Sequence, residues 1–318
     1  MTVRSAFVVG ATPVARLRRL WRFAIAFAAA LSAGALTAAS AVGASGSLTL
    51  QILPGLLAPG GSGAVVATFT NNGSHALQNV TLKIALPPGT VFDATNSSPM
   101  CADVESANCG LGIVGPGASV VVLVGFDTVP VGGPITVTGI ATWGRHVPAG
   151  PGDATSVTAR ADVVELPPGF EAVSDCHVGG DTLEADSAGG QGTQVKAGAN
   201  AAGLPCTPIL AGVAPSPVPS EFSTDVSFVK LPALREPATV VLTFPRGHVP
   251  GSSDSPGPVQ EFPAYPDTST IVPVPLCQGQ PPTSIPAGSD SCIAARDVPH
   301  GTITLRVRGR GSDPGYIG

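Results

Sequence analysis

Glycine and proline interrupt this chain from end to end, at 40 and 33 of its 318 positions. Both residues break helices, so a mostly helical protein is excluded. Glycine does not recur at every third position, which excludes a collagen triple helix. Disorder throughout requires low hydrophobicity with high net charge, whereas 43% of the residues are hydrophobic and 12% are charged. What remains is an all-β or loop-rich chain with enough apolar residues for real cores, and its length predicts about two domains.

The N-terminus predicts export. Residues 1–22 carry Arg4, Arg16, Arg18, Arg19 and Arg22 and no acid. An uncharged apolar run from Phe23 to Leu36 follows and grades into small residues. Ala39-Ser40-Ala41 and Val42-Gly43-Ala44 both fit a small-x-small cleavage site. Together these features read as a secretory signal peptide over 1–44. The stretch from Phe23 to Ala44 is long enough to span a bilayer, so the alternative is an uncleaved anchor, and membrane attachment is expected through this segment alone. Arg18-Arg19 is a weak hint of a twin-arginine signal. Without the five arginines, 11 basic residues face 21 acidic ones, a net charge near −10. Such a surface repels nucleic acid and anionic membrane, because phosphate binding needs clustered Lys and Arg. Arg306, Arg308 and Arg310 alternate along a strand pattern; they make one face locally basic and read as a solvated strand face.

All six cysteines lie in the exported part: Cys101, Cys109, Cys176, Cys206, Cys277 and Cys292. An even number in a secreted chain points to disulfides, with fifteen possible connectivities. Sequence order favours three local pairs, Cys101–Cys109, Cys176–Cys206 and Cys277–Cys292. A metal reading is poor, since Cys-x-x-Cys is absent and Cys176-His177 is the one Cys/His neighbour pair.

From Ser47 onward short alternating runs are separated by turn signals. Strands are expected over 47–53, 64–70, 79–86, 90–92, 118–126, 135–143 and 156–166, with Cys101–Cys109 as a loop. Asn71-Asn72-Gly73 is a strong turn, because Asn and Gly accept positive φ. Val120 to Val124 could be helical by hydropathy alone, but β-branching and the preceding Pro116-Gly117 favour a strand. About seven strands at this spacing predict a β-sandwich over 45–166. Pro167-Pro168-Gly169 marks a boundary. Residues 167–221 read as a Gly/Ala/Pro-rich connecting region of loops and thin strands pinned by Cys176–Cys206. Strand signals resume at 225–231, 238–244 and 302–307, around a proline-rich stretch from Pro250 to Pro286. A second, loop-rich β domain is expected over 222–318.

The segments TNNGSHALQNVTL, LPPGTVF, NCGLGIVGPGASVVVLV and ITVTGIATW occur in that order within 47–165. This resembles the bacterial Ig-like surface repeat known as domain of unknown function 11. The resemblance implies an Ig-like fold and an extracellular, often repeated, stalk or spacer module rather than an enzyme. It also implies pairing of the loop cysteines, Cys101 with Cys109. The chain departs from the usual picture in carrying one such module. More loosely, PATVVLTFPRGHVPG, LCQG and DSCIAARDVPHGTITLRVRGRGSDPGYIG resemble uncharacterised secreted proteins of high-GC bacteria; no activity follows from that.

Little chemistry is written in the sequence. His75, His146, His177, His248 and His300 are not spaced as metal ligands on one element. A nucleophile elbow, a P-loop and His-Glu-x-x-His are absent. Gly110, Gly112 and Gly115 fit Gly-x-Gly-x-x-Gly, but a dinucleotide site needs that loop to open a helix, and here a β-branched strand follows. Asp175, His177 and Asp181 could gather around a metal, though a polar loop beside a disulfide is the simpler reading. A Ser-His-Asp triad assembled through space would leave no sequence trace. Glycan binding would need exposed aromatics. Trp143 ends a strand and belongs in a sandwich core, while Tyr265 sits among prolines where it could be exposed. The sequons at Asn72, Asn79 and Asn96 read as chance turn composition.

The sequence therefore predicts an exported, non-catalytic structural or adhesive protein of the cell envelope or extracellular space. No cofactor is expected, and the partner is an unidentified protein or glycan at the cell surface. The alternative is a carbohydrate or envelope-polymer binding module.

Overall fold

Period-two alternation of apolar and polar residues becomes two-faced strands in the long strands of the first half. A computed structural model describes residues 39–42, 45–102, 106–144, 153–177, 182–215, 225–245, 248–251, 258–262, 271–309 and 315–317. These residues are all-β.

The first half contains β1 (Ala39–Val42), β2 (Gly46–Leu53), β3 (Leu56–Leu57), β4 (Gly63–Asn71), β5 (Leu77–Ala85) and β6 (Val91–Asp93). It continues with β7 (Cys101–Ala102), β8 (Ala107–Val114), β9 (Ser119–Asp127), β10 (Ile135–Gly144) and β11 (Asp153–Val163). One sheet has the order β1-β2-β4-β9-β6 and the other β3-β11-β10-β5-β8-β7. Take β2, β4, β5, β8, β9, β10 and β11 as A, B, C, C′, E, F and G. The sheets are then A-B-E and G-F-C-C′, the Ig-like arrangement. β3 runs parallel to β11 at the start of the second sheet. β6 lies beside E, where a D strand would sit, but precedes C′ in the chain.

The inward residues of β2, Leu48, Leu50 and Ile52, pack with Val65, Phe69, Leu82, Ile84, Val124 and Trp143 in one core. Each such burial is worth about 1.5–3 kcal/mol against exposure. Phe69 and Trp143 meet with ring centroids 5.3 Å apart. The Asn71-Asn72-Gly73 turn is held from inside. Asn71 is fully buried. Its Nδ2 donates to His75 O (2.8 Å) and Val114 O (2.9 Å), and its Oδ1 accepts from Gly73 N–H (2.9 Å).

The expected loop between Cys101 and Cys109 is in part strand, because Cys109 opens into β8, which pairs with β5. β8 contains Gly110 and Gly112, and Gly115 follows its end. Gly112, at φ 71°, pairs with Val80 where the β5–β8 register shifts, and Asn79, just before Val80, has φ 51°. Asparagine and glycine tolerate this region, so the irregularity is absorbed without ending either strand.

The second half contains β12 (Ala172–His177), β13 (Leu183–Asp186), β14 (Gly192–Lys196), β15 (Thr207–Pro215), β16 (Asp225–Lys230) and β17 (Ala238–Thr243). It ends with β18 (Gln260–Phe262), β19 (Val272–Pro273), β20 (Ser291–Asp297), β21 (Thr302–Val307) and β22 (Gly315–Ile317). Two sheets form, β12-β15-β16-β22-β18-β19 and β13-β14-β17-β21-β20. Residues 167–221 are thus not merely a connection. They supply β12 to β15, with β15 paired to β16 and β14 paired to β17. The second sandwich is assembled from both sides of the expected boundary at 222.

β15 is buried at every residue from Thr207 to Ala214, and β16 at every residue. Both faces of these two strands are covered. Ile209, Ala211 and Val229 face the second sandwich's own core. Leu210, Ala214 and Phe228 pack with Ala58 and Val164 of the first sandwich. Gly212 makes room for the Phe228 ring, since a Cβ there would lie 2.2 Å from Cζ. The sheet β12-β15-β16-β22-β18-β19 is therefore a middle layer between the first sandwich and the outer sheet β13-β14-β17-β21-β20.

Polar contacts reinforce this junction. Ala58 N–H donates to Ser174 Oγ (3.0 Å) and Ser62 N–H to Ser174 O (2.8 Å). Gly61 permits the approach, because a Cβ there would stand 2.6 Å from Ser174 O. The Cys176–Cys206 disulfide packs on Ala64 and Leu123 of the first sandwich. Both sandwiches fall within one compact unit, Gly34–Gly318.

Candidate functional site

The structure joins Cys101–Cys109, Cys176–Cys206 and Cys277–Cys292, the pairs set by sequence order. Cys101 and Cys109 lie directly opposite each other across β7 and β8. Cys176–Cys206 ties β12 to the approach to β15, and Cys277–Cys292 ties a loop to β20. Three such crosslinks belong to an oxidising environment.

The other sequence candidates are scattered. Gly110, Gly112 and Gly115 lie in or beside β8, and no helix follows them, so the geometry that holds a pyrophosphate is missing there. Asp175 is on β12 opposite Ile209, and His177 ends that strand; Asp181 lies outside the described residues. Among the described residues no three of His, Cys, Asp or Glu converge as metal ligands. Trp143 is a core residue whose Nε1 donates to Ser45 Oγ (3.2 Å). Tyr265, His146 and Arg310 lie outside the described residues, as does residues 1–44 apart from β1. His300 and Asp297 form an exposed pair on the β20–β21 turn, Nδ1 to Oδ2 2.8 Å. The hydrogen bonds from His300 hold the Asp297 carboxyl below the usual range.

Two regions stand out that the sequence did not announce. The first is a buried polar cluster at the edge of the second core. Glu261 on β18, Ser291 on β20 and Tyr316 on β22 are all buried. Ser291 Oγ donates to Glu261 Oε2. Burial pushes the Glu261 carboxyl up; the Ser291 hydrogen bond opposes this, and the nearby Asp290 charge adds to it. Tyr316 Oη is buried without a hydrogen-bond partner among the described residues. Its proximity to Ser291 only partly offsets burial and the Glu261 charge, which raise its pKa well above the ordinary phenol value. These side chains are enclosed rather than presented to a cleft, so the cluster is a packing feature of β18, β20 and β22.

The second region is open. Leu234, Arg235, Glu236, Pro237, Arg308 and Gly309 line a cleft of about 390 Å³ where β17 begins and β21 ends. The Leu234 N–H donates to Gly309 O (3.3 Å), closing its floor. Gly309 is required there, since a Cβ would stand 2.1 Å from Pro232 O. Arg308 Nη2 donates to Ile285 O (3.1 Å). Alternation of 306 and 308 was legible in the sequence; the partner Arg235, from the β16–β17 connection, was not, because only the fold brings it there.

No protein-family model and no curated protein matches this chain. Among solved structures it is distantly similar to the sporulation control protein Spo0M of Bacillus subtilis, with 12% identity, 73% of this chain and 90% of that one covered, and a TM-score of 0.22. A DUF4466 family protein from Parabacteroides merdae has 8% identity over 85% of this chain and 99% of that one, with a TM-score of 0.25. The C-terminal domain of the Streptococcus agalactiae AgI/II polypeptide BspA has 10% identity over 82% and 84%, with a TM-score of 0.23. Superpositions this loose carry no argument about this chain, whose fold rests on its own strand order.

Proposed function

We propose that this chain is an exported, non-catalytic structural or adhesive protein of the cell envelope or extracellular space. The observation that carries the reading is the middle sheet, covered on one side by the first sandwich and on the other by the outer sheet. An apolar, hydrogen-bonded junction of this kind makes two sandwiches one stiff body, which suits a spacer or a presenting scaffold better than a hinged enzyme cleft. Three disulfides, the signal-like N-terminus and the resemblance to the Ig-like surface repeat support the same location.

Expression of the full chain in a bacterial host, followed by fractionation, thiol alkylation and N-terminal sequencing, tests this. The expected result is protein in the medium or envelope fraction with no alkylatable thiol. A start near Val42 or Ser45 indicates release, and an intact N-terminus in membranes indicates an anchor. Cytoplasmic protein carrying six free thiols would contradict the reading.

A further inference from the structure

One corner of the outer sheet gathers several of the described cations. Lys196, Thr239 and Arg306 lie opposite one another across β14, β17 and β21. Ile303, Leu305 and Val307 are buried, so the alternate residues of β21, Arg306 among them, lie on the opposite, outer face. Arg306 Nη1 donates to Thr239 Oγ1 (2.6 Å), while its buried Nε has no hydrogen-bond partner among the described residues. Arg308 continues that line into the cleft, where Arg235 meets it. Arg235 is exposed, with Nη2 only 3.6 Å from where a Cβ of Gly203 would stand.

Lys83, Arg160, Lys196, Lys230, Arg235, Arg296, Arg306 and Arg308 are the basic residues among those described. Half of them occupy this one corner, in a chain with 21 acids and 16 bases. Glu236 is the single carboxylate in the cleft lining, and it is exposed.

We propose that this corner binds a linear polymer carrying carboxylate or phosphate groups. Guanidinium forks match both groups bidentately. Two of them beside one cleft, followed by Arg306 and Lys196 along the sheet, fit successive charges on an extended chain better than one small anion. The inference goes beyond the structural reading above, and it needs that reading only for where the polymer would be met.

The test is titration of the folded full chain with two probes, polygalacturonate oligomers and inorganic polyphosphate, with neutral dextran as control. Binding to at least one charged probe, weakening with salt, is expected. Arg235→Gln and Arg308→Gln should each weaken it about tenfold, the scale of one lost charge-assisted contact. Glu236→Gln should tighten it, and Lys83→Gln, on the first sandwich, should leave it unchanged. Arg235 is exposed, so Arg235→Gln should keep the wild-type Tm, which separates lost binding from lost folding. Polygalacturonate alone would assign carboxylate recognition, polyphosphate alone phosphate recognition, and both a readout of charge spacing. Failure of both probes to bind overturns the proposal. So does wild-type affinity in Arg235→Gln, or an equal loss in Lys83→Gln. None of these results depends on where cells place the protein.

Discussion

The two sandwiches solve the same problem with different materials. The first encloses an interior of aliphatic side chains with the aromatic rings of Phe69, Phe126 and Trp143, the first and last of them in a tilted contact. Its buried polar residues tie turns and loops to strands: Asn71 bonds within its own turn and to Val114 O, and Ser97 and Ser98 accept from Gly125 and Leu123 N–H of β9. The second buries Gln191 against Ser227 and Ser187 against Asp225, and it encloses Glu261 with Ser291. It also shares its middle sheet with its neighbour. Side chains that would face water in an isolated sandwich, Leu210, Ala214 and Phe228, are apolar here because the first sandwich covers them. The first sandwich has an Ig-like order of its own, whereas the second is completed by contact.

That contrast can be broken most forcefully at Phe228. Phe228→Ala removes the largest side chain of the junction and should cost about 3–5 kcal/mol. Urea unfolding, expected as a single transition in the wild type, should then separate into two. Replacing Cys176 and Cys206 together by Ala should cost about 2–4 kcal/mol, read as a lower denaturation midpoint. The bridge spans 30 residues and also packs on Ala64 and Leu123, so the loss should reach both sandwiches. Ser174→Ala leaves the buried Ala58 N–H without its acceptor and should cost about 1–2 kcal/mol. A full-strength midpoint in this variant would show that water replaces the hydroxyl.

The smallest effect sharpens the contrast through pH. The folded-state pKa of Glu261 lies above its unfolded value. Between those two values the native state holds more protons, so this group makes stability fall as pH rises. Glu261→Gln keeps an acceptor for Ser291 without the buried charge. The variant should match the wild type near pH 4 and exceed it at pH 8, by denaturant midpoint at each pH. Equal midpoints at both pH values would place the charge in contact with water.

Strands with clean alternation or β-branched runs were legible: 47–53, 64–70, 79–86, 118–126 and 135–143 all fall on observed strands. β8 was hidden because Gly110, Gly112 and Gly115 imitate a phosphate loop, and only pairing with β5 makes the first two part of a strand. β15 was hidden for a different reason. Pro208, Gly212 and Pro215 argue against a central strand, yet Gly212 is what accommodates Phe228. A sheet buried on both faces gives no alternation to read, so the stretch looked like a connection. The cysteine order pointed to the observed disulfides because each pair closes a local loop. The cleft was half legible, since Arg306 and Arg308 alternate in sequence while Arg235 arrives through the fold.

Hydrogen exchange by mass spectrometry across a urea series tests the shared middle sheet most directly. Peptides covering β4 and β9 report the first sandwich, and peptides covering β15 and β16 report the second. If the two sandwiches are one cooperative body, protection in both sets is lost at the same urea concentration. Loss of protection in β15 and β16 well before β4 and β9 would contradict it, and the two sandwiches would then be independent domains in contact.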